Sequence, residues 1–155
     1  GMKPGRTLKA VIPGGSSVPI MTAAETEDCC LDYEGVVARG SMLGSAGMIV
    51  MDDSTDMVYQ IWRLARFYAH ESCAQCTQCR EGTAWTTKIL ERILAGKGKA
   101  ADLDLLLSLS ENMTGKTICV LSDSCAAPIV SGIAKFRSEF DAYLSGARQP
   151  ALAMV

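Results

Sequence analysis

Residues 71–82 read Glu71-Ser72-Cys73-Ala74-Gln75-Cys76-Thr77-Gln78-Cys79-Arg80-Glu81-Gly82, and this stretch decides how the flanking sequence is to be read. Three cysteines at two-residue intervals put three thiolates on one tight loop, with Cys119 and Cys125 downstream. Thiolate sulfur is a soft ligand that suits zinc or iron–sulfur clusters. Structural zinc sites usually pair one C-x₂-C with a second pair, whereas a triplet plus one distant cysteine suits the four corners of a [4Fe–4S] cube. No C-x₃-C-P continuation follows Cys79, so the run is not of the ferredoxin type. Spacing alone leaves Cys119 and Cys125 both open as the fourth ligand. A catalytic thiol is disfavoured, because His70 is the only histidine; it reads as a hydrogen-bonded side chain at a helix end, and no catalytic residue is assigned.

Around the triplet the sequence is helical. Ser54 or Thr55 can cap a helix running to about His70, with Met57, Val58, Ile61, Leu64, Ala65 and Tyr68 at three- and four-residue steps. A second helix starts just after Cys79, with Trp85, Ile89 and Ile93 on its apolar face, and Gly96-Lys97-Gly98-Lys99 breaks it. A third is expected from Asp102 to about Met113, with Leu103, Leu106 and Leu107 inward. A fourth is expected to begin near Pro128, which a first helical turn tolerates, and carries Ile129, Ile133, Phe136, Phe140 and Leu144. Four helices with short connections predict an all-α four-helix bundle over residues 56–146, with residues 147–155 as a frayed tail. Antiparallel packing would bring the first–second and third–fourth connections to one end, so four thiolates can converge from two loops. The second helix's amide dipole would then stabilise the cluster's negative charge. Arg80 and Lys116 would favour the reduced form if they point inward.

Residues 7–53 carry a different period. Leu8, Ala10 and Ile12 alternate as a short strand, Pro13-Gly14-Gly15-Ser16 turns, and residues 17–21 can return as a second strand. Asp32 can cap a short helix through Arg39, with Gly40 ending it. Met48-Ile49-Val50-Met51 reads as a further strand. The chain is therefore expected to be α+β, a small mixed unit followed by the helical one. Cys29-Cys30 lie in the first unit; adjacent cysteines rarely share one metal, so they read as partly buried small apolar residues. Two phosphate-like patterns are set aside. Gly115-Lys116-Thr117 resembles the end of a P-loop, but Ser110 stands where its first glycine belongs. The Gly40, Gly44 and Gly47 series never forms G-x-G-x-x-G and reads as turn-making.

The totals narrow the function classes. A chain of 155 residues with 48% hydrophobic content can bury a core, and a net charge of −2 argues against nucleic acid, which requires a basic face. The longest apolar runs are too short to span a bilayer, so no direct membrane insertion is expected. Seven cysteines, an odd number unevenly placed, and no export signal point to a reducing compartment, where clustered cysteines bind metal or do redox work. Gly1 before Met2 looks like a tag remnant, so the chain is expected to be a piece of a longer one.

Taken in order, the motifs resemble a known family. Residues 71–82 with Thr117-Ile118-Cys119 resemble the NADH-binding flavoprotein subunit of respiratory complex I. Ala10-Val11-Ile12-Pro13-Gly14-Gly15-Ser16-Ser17 and Gly40-Ser41-Met42-Leu43-Gly44 resemble that subunit's small β-grasp (ubiquitin-like) module, called SLBB, assigned here to residues 7–53. Met51-Asp52-Asp53 and Phe136-Arg137-Ser138-Glu139-Phe140 also fit. The resemblance implies a [4Fe–4S] cluster on Cys73, Cys76, Cys79 and Cys119, taking electrons from FMN, and so selects Cys119 over Cys125. Ala74 departs from a usual glycine and Gln78 from a usual proline. The family's FMN- and NADH-binding domain has no counterpart in this sequence, so the isolated chain is expected to be inactive towards NADH. Its implied partners are that N-terminal domain, a thioredoxin-like [2Fe–2S] subunit and a large iron–sulfur subunit. The implied location is peripheral, on the cytoplasmic face of a bacterial inner membrane, or in the mitochondrial matrix of a eukaryote. The alternatives are the matching diaphorase subunit of an NAD-linked hydrogenase or formate dehydrogenase, or a zinc-stabilised, non-redox docking or ligand-binding module.

Overall fold

The computed structural model describes residues 2–151, and the described residues form an α+β chain with a three-stranded sheet and seven helices. The chain divides into two compact units, Gly1–Thr55 and Asp56–Val155.

In the first unit, β1 (Leu8–Ile12) is the central strand, flanked by β2 (Met21–Thr22) and β3 (Ile49–Asp52), both antiparallel to it. Ala10, Val11 and Ile12 are all buried, so β1 is covered more fully than simple alternation predicts. The expected second strand shrinks to two residues. Thr22 closes a capping box with Glu25 and starts α1 (Ala23–Thr26) immediately, which stops the strand. Helix α2 (Tyr33–Ala38) forms as expected: the Gly35 N–H donates to Asp32 Oδ1, and Gly40 follows its end at φ +74°, where a Cβ would be strained.

The second unit is helical: α3 (Met57–Glu71), α4 (Thr77–Leu94), α5 (Ala101–Met113), α6 (Leu121–Lys135) and α7 (Arg137–Leu144). The four longer helices pack in ring order, α3 on α4, α4 on α5, α5 on α6 and α6 back on α3, and α7 lies against α3, α4 and α6. Ile61, Leu90, Ile93, Leu103, Leu106, Ile129 and Phe140 fill the centre. Each such side chain contributes roughly 1.5–3 kcal/mol by leaving water.

Several expected faces are rotated. Trp85 is about half exposed, and α4 instead buries Gly82, Thr83, Thr86, Thr87, Ile89 and Leu90. Small residues let α5 approach closely: a Cβ on Gly82 would stand 2.5 Å from the Met113 sulfur. Leu107 is 36% exposed, while Ser110 and Met113 complete the buried face of α5. On α3, Leu64 is only half-buried, and Trp62 is covered in its place. The last helix differs most. It begins at Leu121 rather than near Pro128, because Ser122 donates to the Met113 carbonyl and Asp123 accepts the Gly115 N–H, which fixes an earlier turn. Pro128 is carried inside α6, and the chain breaks at Phe136 (φ −122°, ψ 31°) before restarting as α7.

One carboxylate ties the ends of this unit together. Asp56, not Ser54 or Thr55, caps α3: it accepts the Tyr59 N–H at 3.0 Å, while Ser54 and Thr55 donate their hydroxyls to Asp52. Asp56 also accepts the Tyr143 hydroxyl at 2.6 Å and pairs with Arg148 at 3.2 Å. Burial and the bond to Asp56 push the Tyr143 phenol well up. Arg148 reaches Glu139, which accepts the Met57 N–H. Of the tail expected to fray, Arg148 and Ala151 are thus held, the latter through a bond from its N–H to the Leu94 carbonyl; residues 152–155 lie outside the described residues.

Asp56→Ala is expected to lower the free energy of unfolding by about 2 kcal/mol and Tyr143→Phe by about 1 kcal/mol. Urea unfolding midpoints at unchanged slope would show this. An Asp56→Ala midpoint equal to wild type would remove Asp56 from its role as a hub.

Candidate metal centre

The ring order of the helices sets the two cysteine-bearing connections side by side. Residues 72–76 join α3 to α4, and residues 114–120 join α5 to α6. A bond joins them: the Ile118 N–H donates to the Cys76 sulfur at 3.4 Å. That contact spans 42 residues of sequence and places Cys119, the next residue, beside the triplet loop.

Each cysteine has a distinct setting. Cys76 is the N-cap residue of α4, and no side-chain bond caps the helix there. The first N–H groups of α4 therefore lack a capping side chain at the point where negative charge is best stabilised. Cys79 lies in the first turn and is buried, with the Ser72 hydroxyl 3.2 Å from its sulfur. Cys73 and Cys119 are exposed. Among the described residues, no three His, Cys, Asp or Glu side chains converge where a single metal ion would sit.

The loops are braced from both sides. Arg80 donates through Nη1 to the Ala74 carbonyl at 2.8 Å and through Nε to Glu81 at 2.9 Å. Its charge thus clamps the triplet loop, a role the sequence did not suggest. On the other loop, Thr117 donates to the Cys119 carbonyl or shares a 2.6 Å contact with Ser122. Lys116 reaches Asn112 at 3.4 Å. His70 sits in the last turn of α3 with Nδ1 3.1 Å from Glu71, a helix-end contact as expected.

Cys125 is fully buried inside α6. Burial, with a smaller contribution from the neighbouring Cys79, pushes its thiol up to about 12. Cys29 and Cys30 belong to the other unit; Cys29 is half-buried and donates to the Cys30 carbonyl at 3.4 Å, while Cys30 is exposed. Two residues with a direct bearing on the sulfurs were not singled out from sequence: Ser72, which ends α3, and Ile118, which acts through its backbone. A serine at a helix end directly before a cysteine was the available signal for the first. For the second, no side-chain signal exists.

The family of the NADH-ubiquinone oxidoreductase-F iron-sulfur binding region matches residues 59–143. The chain belongs to that family. The match takes in α4, α5 and α6 and most of α3, with both cysteine loops. The chain is also 48% identical over 134 residues to the F 1 subunit of NADH-quinone oxidoreductase from Rhizobium meliloti, covering 86% of this chain and 31% of that protein. It is 48% identical over 146 residues to the corresponding NADH-quinone oxidoreductase protein of Streptomyces coelicolor, covering 94% and 32%. The chain therefore spans about a third of the length of the curated relatives it matches. Among solved structures, the NAD+-reducing [NiFe]-hydrogenase in its air-oxidized state is similar, with a TM-score of 0.77 at 30% identity, covering 96% of this chain and 29% of that one. Its H2-reduced state gives a TM-score of 0.75 at 32% identity, covering 89% and 23%. No helix among the described residues is long and apolar enough to cross a membrane.

Ala74 sits at φ +64°. The left-handed region costs a residue with a Cβ roughly 1–2 kcal/mol. Ala74→Gly is expected to raise the unfolding free energy by roughly 0.5–1 kcal/mol, because glycine's greater freedom in the unfolded chain offsets part of the relief. Thermal or urea unfolding would show it, and a loss of stability would contradict the strained loop.

Proposed function

We propose that this chain is the electron-relay portion of an NADH:quinone oxidoreductase flavoprotein subunit, holding a [4Fe–4S] cluster on Cys73, Cys76, Cys79 and Cys119. The observation that carries the reading is the Ile118–Cys76 contact, which draws the Cys119 loop onto the triplet loop within the region that the family covers. When bound, such a cluster takes up and gives off single electrons.

The donor set fits that group. A zinc ion draws its ligands onto one centre, with Zn–S near ~2.3 Å, whereas a four-iron cube takes one thiolate at each separated corner. Four cysteines spread over two touching loops suit the second. Cys119 serves better than Cys125 as fourth ligand because it stands on the loop next to Ile118, while Cys125 is enclosed within a helix. Around these thiolates the chain's own residues do the positioning. Arg80 clamps the Ala74 carbonyl, and the start of α4 directs its dipole at the site.

The ring of α3, α4, α5 and α6 supports reading residues 56–146 as a four-helix bundle. The antiparallel sheet with α2 supports reading residues 7–53 as the SLBB-type β-grasp domain. FMN and NADH belong to the remaining two thirds of such a protein, so the isolated chain relays electrons without receiving them from NADH itself. The N-terminal FMN/NADH-binding domain, a thioredoxin-like [2Fe–2S] subunit and a large iron–sulfur subunit are the partners this reading assigns. It also places the chain at the periphery of the complex, on the cytoplasmic or matrix side. The hydrogenase diaphorase reading has support in the structural neighbours, but 48% identity to the quinone oxidoreductase proteins against 30–32% to the hydrogenase favours the former.

Anaerobic reconstitution with iron and sulfide is expected to load one cluster per chain. Cys119→Ser is expected to lose most of the bound iron and sulfide, and Cys125→Ser to keep it. The reverse order of the two variants would overturn the ligand assignment. One zinc per chain with no reducible iron signal would overturn the relay reading as a whole.

A further inference from the structure

The Ser72 hydroxyl is placed to act on a cluster ligand. Its oxygen lies 3.2 Å from the Cys79 sulfur and accepts the Ala74 N–H at 3.3 Å. With that lone pair engaged, the hydroxyl proton remains free to turn towards sulfur. A thiolate bound to iron carries no proton, so only the serine can be the donor in this contact. Cys79 is 7% exposed, and a hydrogen bond in such a low-dielectric setting is stronger than one in water.

We propose that Ser72 is a positioning residue that tunes the reduction potential of the centre, by donating a hydrogen bond from its hydroxyl to the sulfur of Cys79. This rests on the reading of Cys79 as a cluster ligand. Adding one electron makes the site one unit more negative, and a donor aimed at a ligand sulfur stabilises the more negative form. The hydrogen bond therefore raises the potential. Ile118 does the same for Cys76 through its backbone N–H, which only proline would remove, with a change of backbone; Ser72 is the donor that a side-chain substitution can delete. Its position as the C-cap of α3 at φ −63°, ψ 122° also turns the chain from the helix into the ligand loop, so the same residue fixes geometry and supplies the proton.

The test is a mediated redox titration, with dithionite as the electron donor, followed by EPR on the anaerobically reconstituted chain. Ser72→Ala is expected to shift the one-electron reduction equilibrium about tenfold towards the oxidised form, which is about 59 mV lower in potential. Ser72→Thr, which keeps the hydroxyl, is expected to retain the wild-type potential. A Ser72→Ala chain that loads a cluster at the wild-type potential overturns the proposal while leaving the ligand assignment standing. A Ser72→Ala chain that folds but takes up no cluster, while Ser72→Thr loads, also overturns it, since the hydroxyl is then an assembly contact. Failure of the wild-type chain to load a four-iron cluster overturns the underlying reading instead.

Discussion

The constraint on which the metal centre depends is the meeting of two loops that are distant in sequence. An N–H···S bond, from Ile118 to Cys76, joins the connection after α3 to the connection after α5. It is weak by itself, because sulfur is a poor acceptor. The helices on either side bring the two loops to the same end. Gly82 lets the start of α4 lie against Met113 at the end of α5, and Ser122 at the start of α6 bonds back to the Met113 carbonyl. The end of α5 and the starts of α4 and α6 are thereby locked at one end of the unit. The cysteines are presented by this frame and do not have to create it.

The opposite requirement, keeping the frame from opening, falls to buried charges and caps. Asp56 caps α3 while binding Tyr143 and Arg148, so three segments are secured by one carboxylate. Arg92 makes a paired contact with Asp102 across the turn between α4 and α5, and Asp102 also accepts the Lys99 N–H. Burial works to raise the Asp102 carboxyl, but the bonds from Arg92 and Lys99 outweigh it and hold the group below its ordinary value. Its stabilisation is present above the ordinary carboxylate range and fades as the solution becomes more acidic than that. The apolar core thus supplies most of the energy, and a few polar groups supply the register.

Much of this could be read from the residues, and the failures have specific causes. The cysteine triplet, the Asp32 cap and the Gly40 terminator were legible because short motifs determine local geometry. Helix faces were less so: Trp85 fits an apolar period, yet α4 turns its threonines and Gly82 inward because α5 must come close. The start of α6 is not legible because Pro128 is a strong local signal, whereas the bonds that Ser122 donates to Met113 and Asp123 accepts from Gly115 are tertiary. Asp56 was overlooked as a cap because Ser54 and Thr55 are equally good capping residues until Asp52 claims their hydroxyls. At the metal centre the ligand candidates were visible, but the donors to their sulfurs were not. One of these is a backbone amide and the other a serine that ends a helix.

The proposed centre stands on its coordination: four thiolates from two touching loops, each at its own iron. Iron K-edge X-ray absorption on the anaerobically reconstituted chain tests this most directly. The expected spectrum shows iron surrounded by sulfur alone, together with iron–iron scattering. Nitrogen or oxygen bound directly to iron, or the absence of any iron–iron scattering, would contradict it.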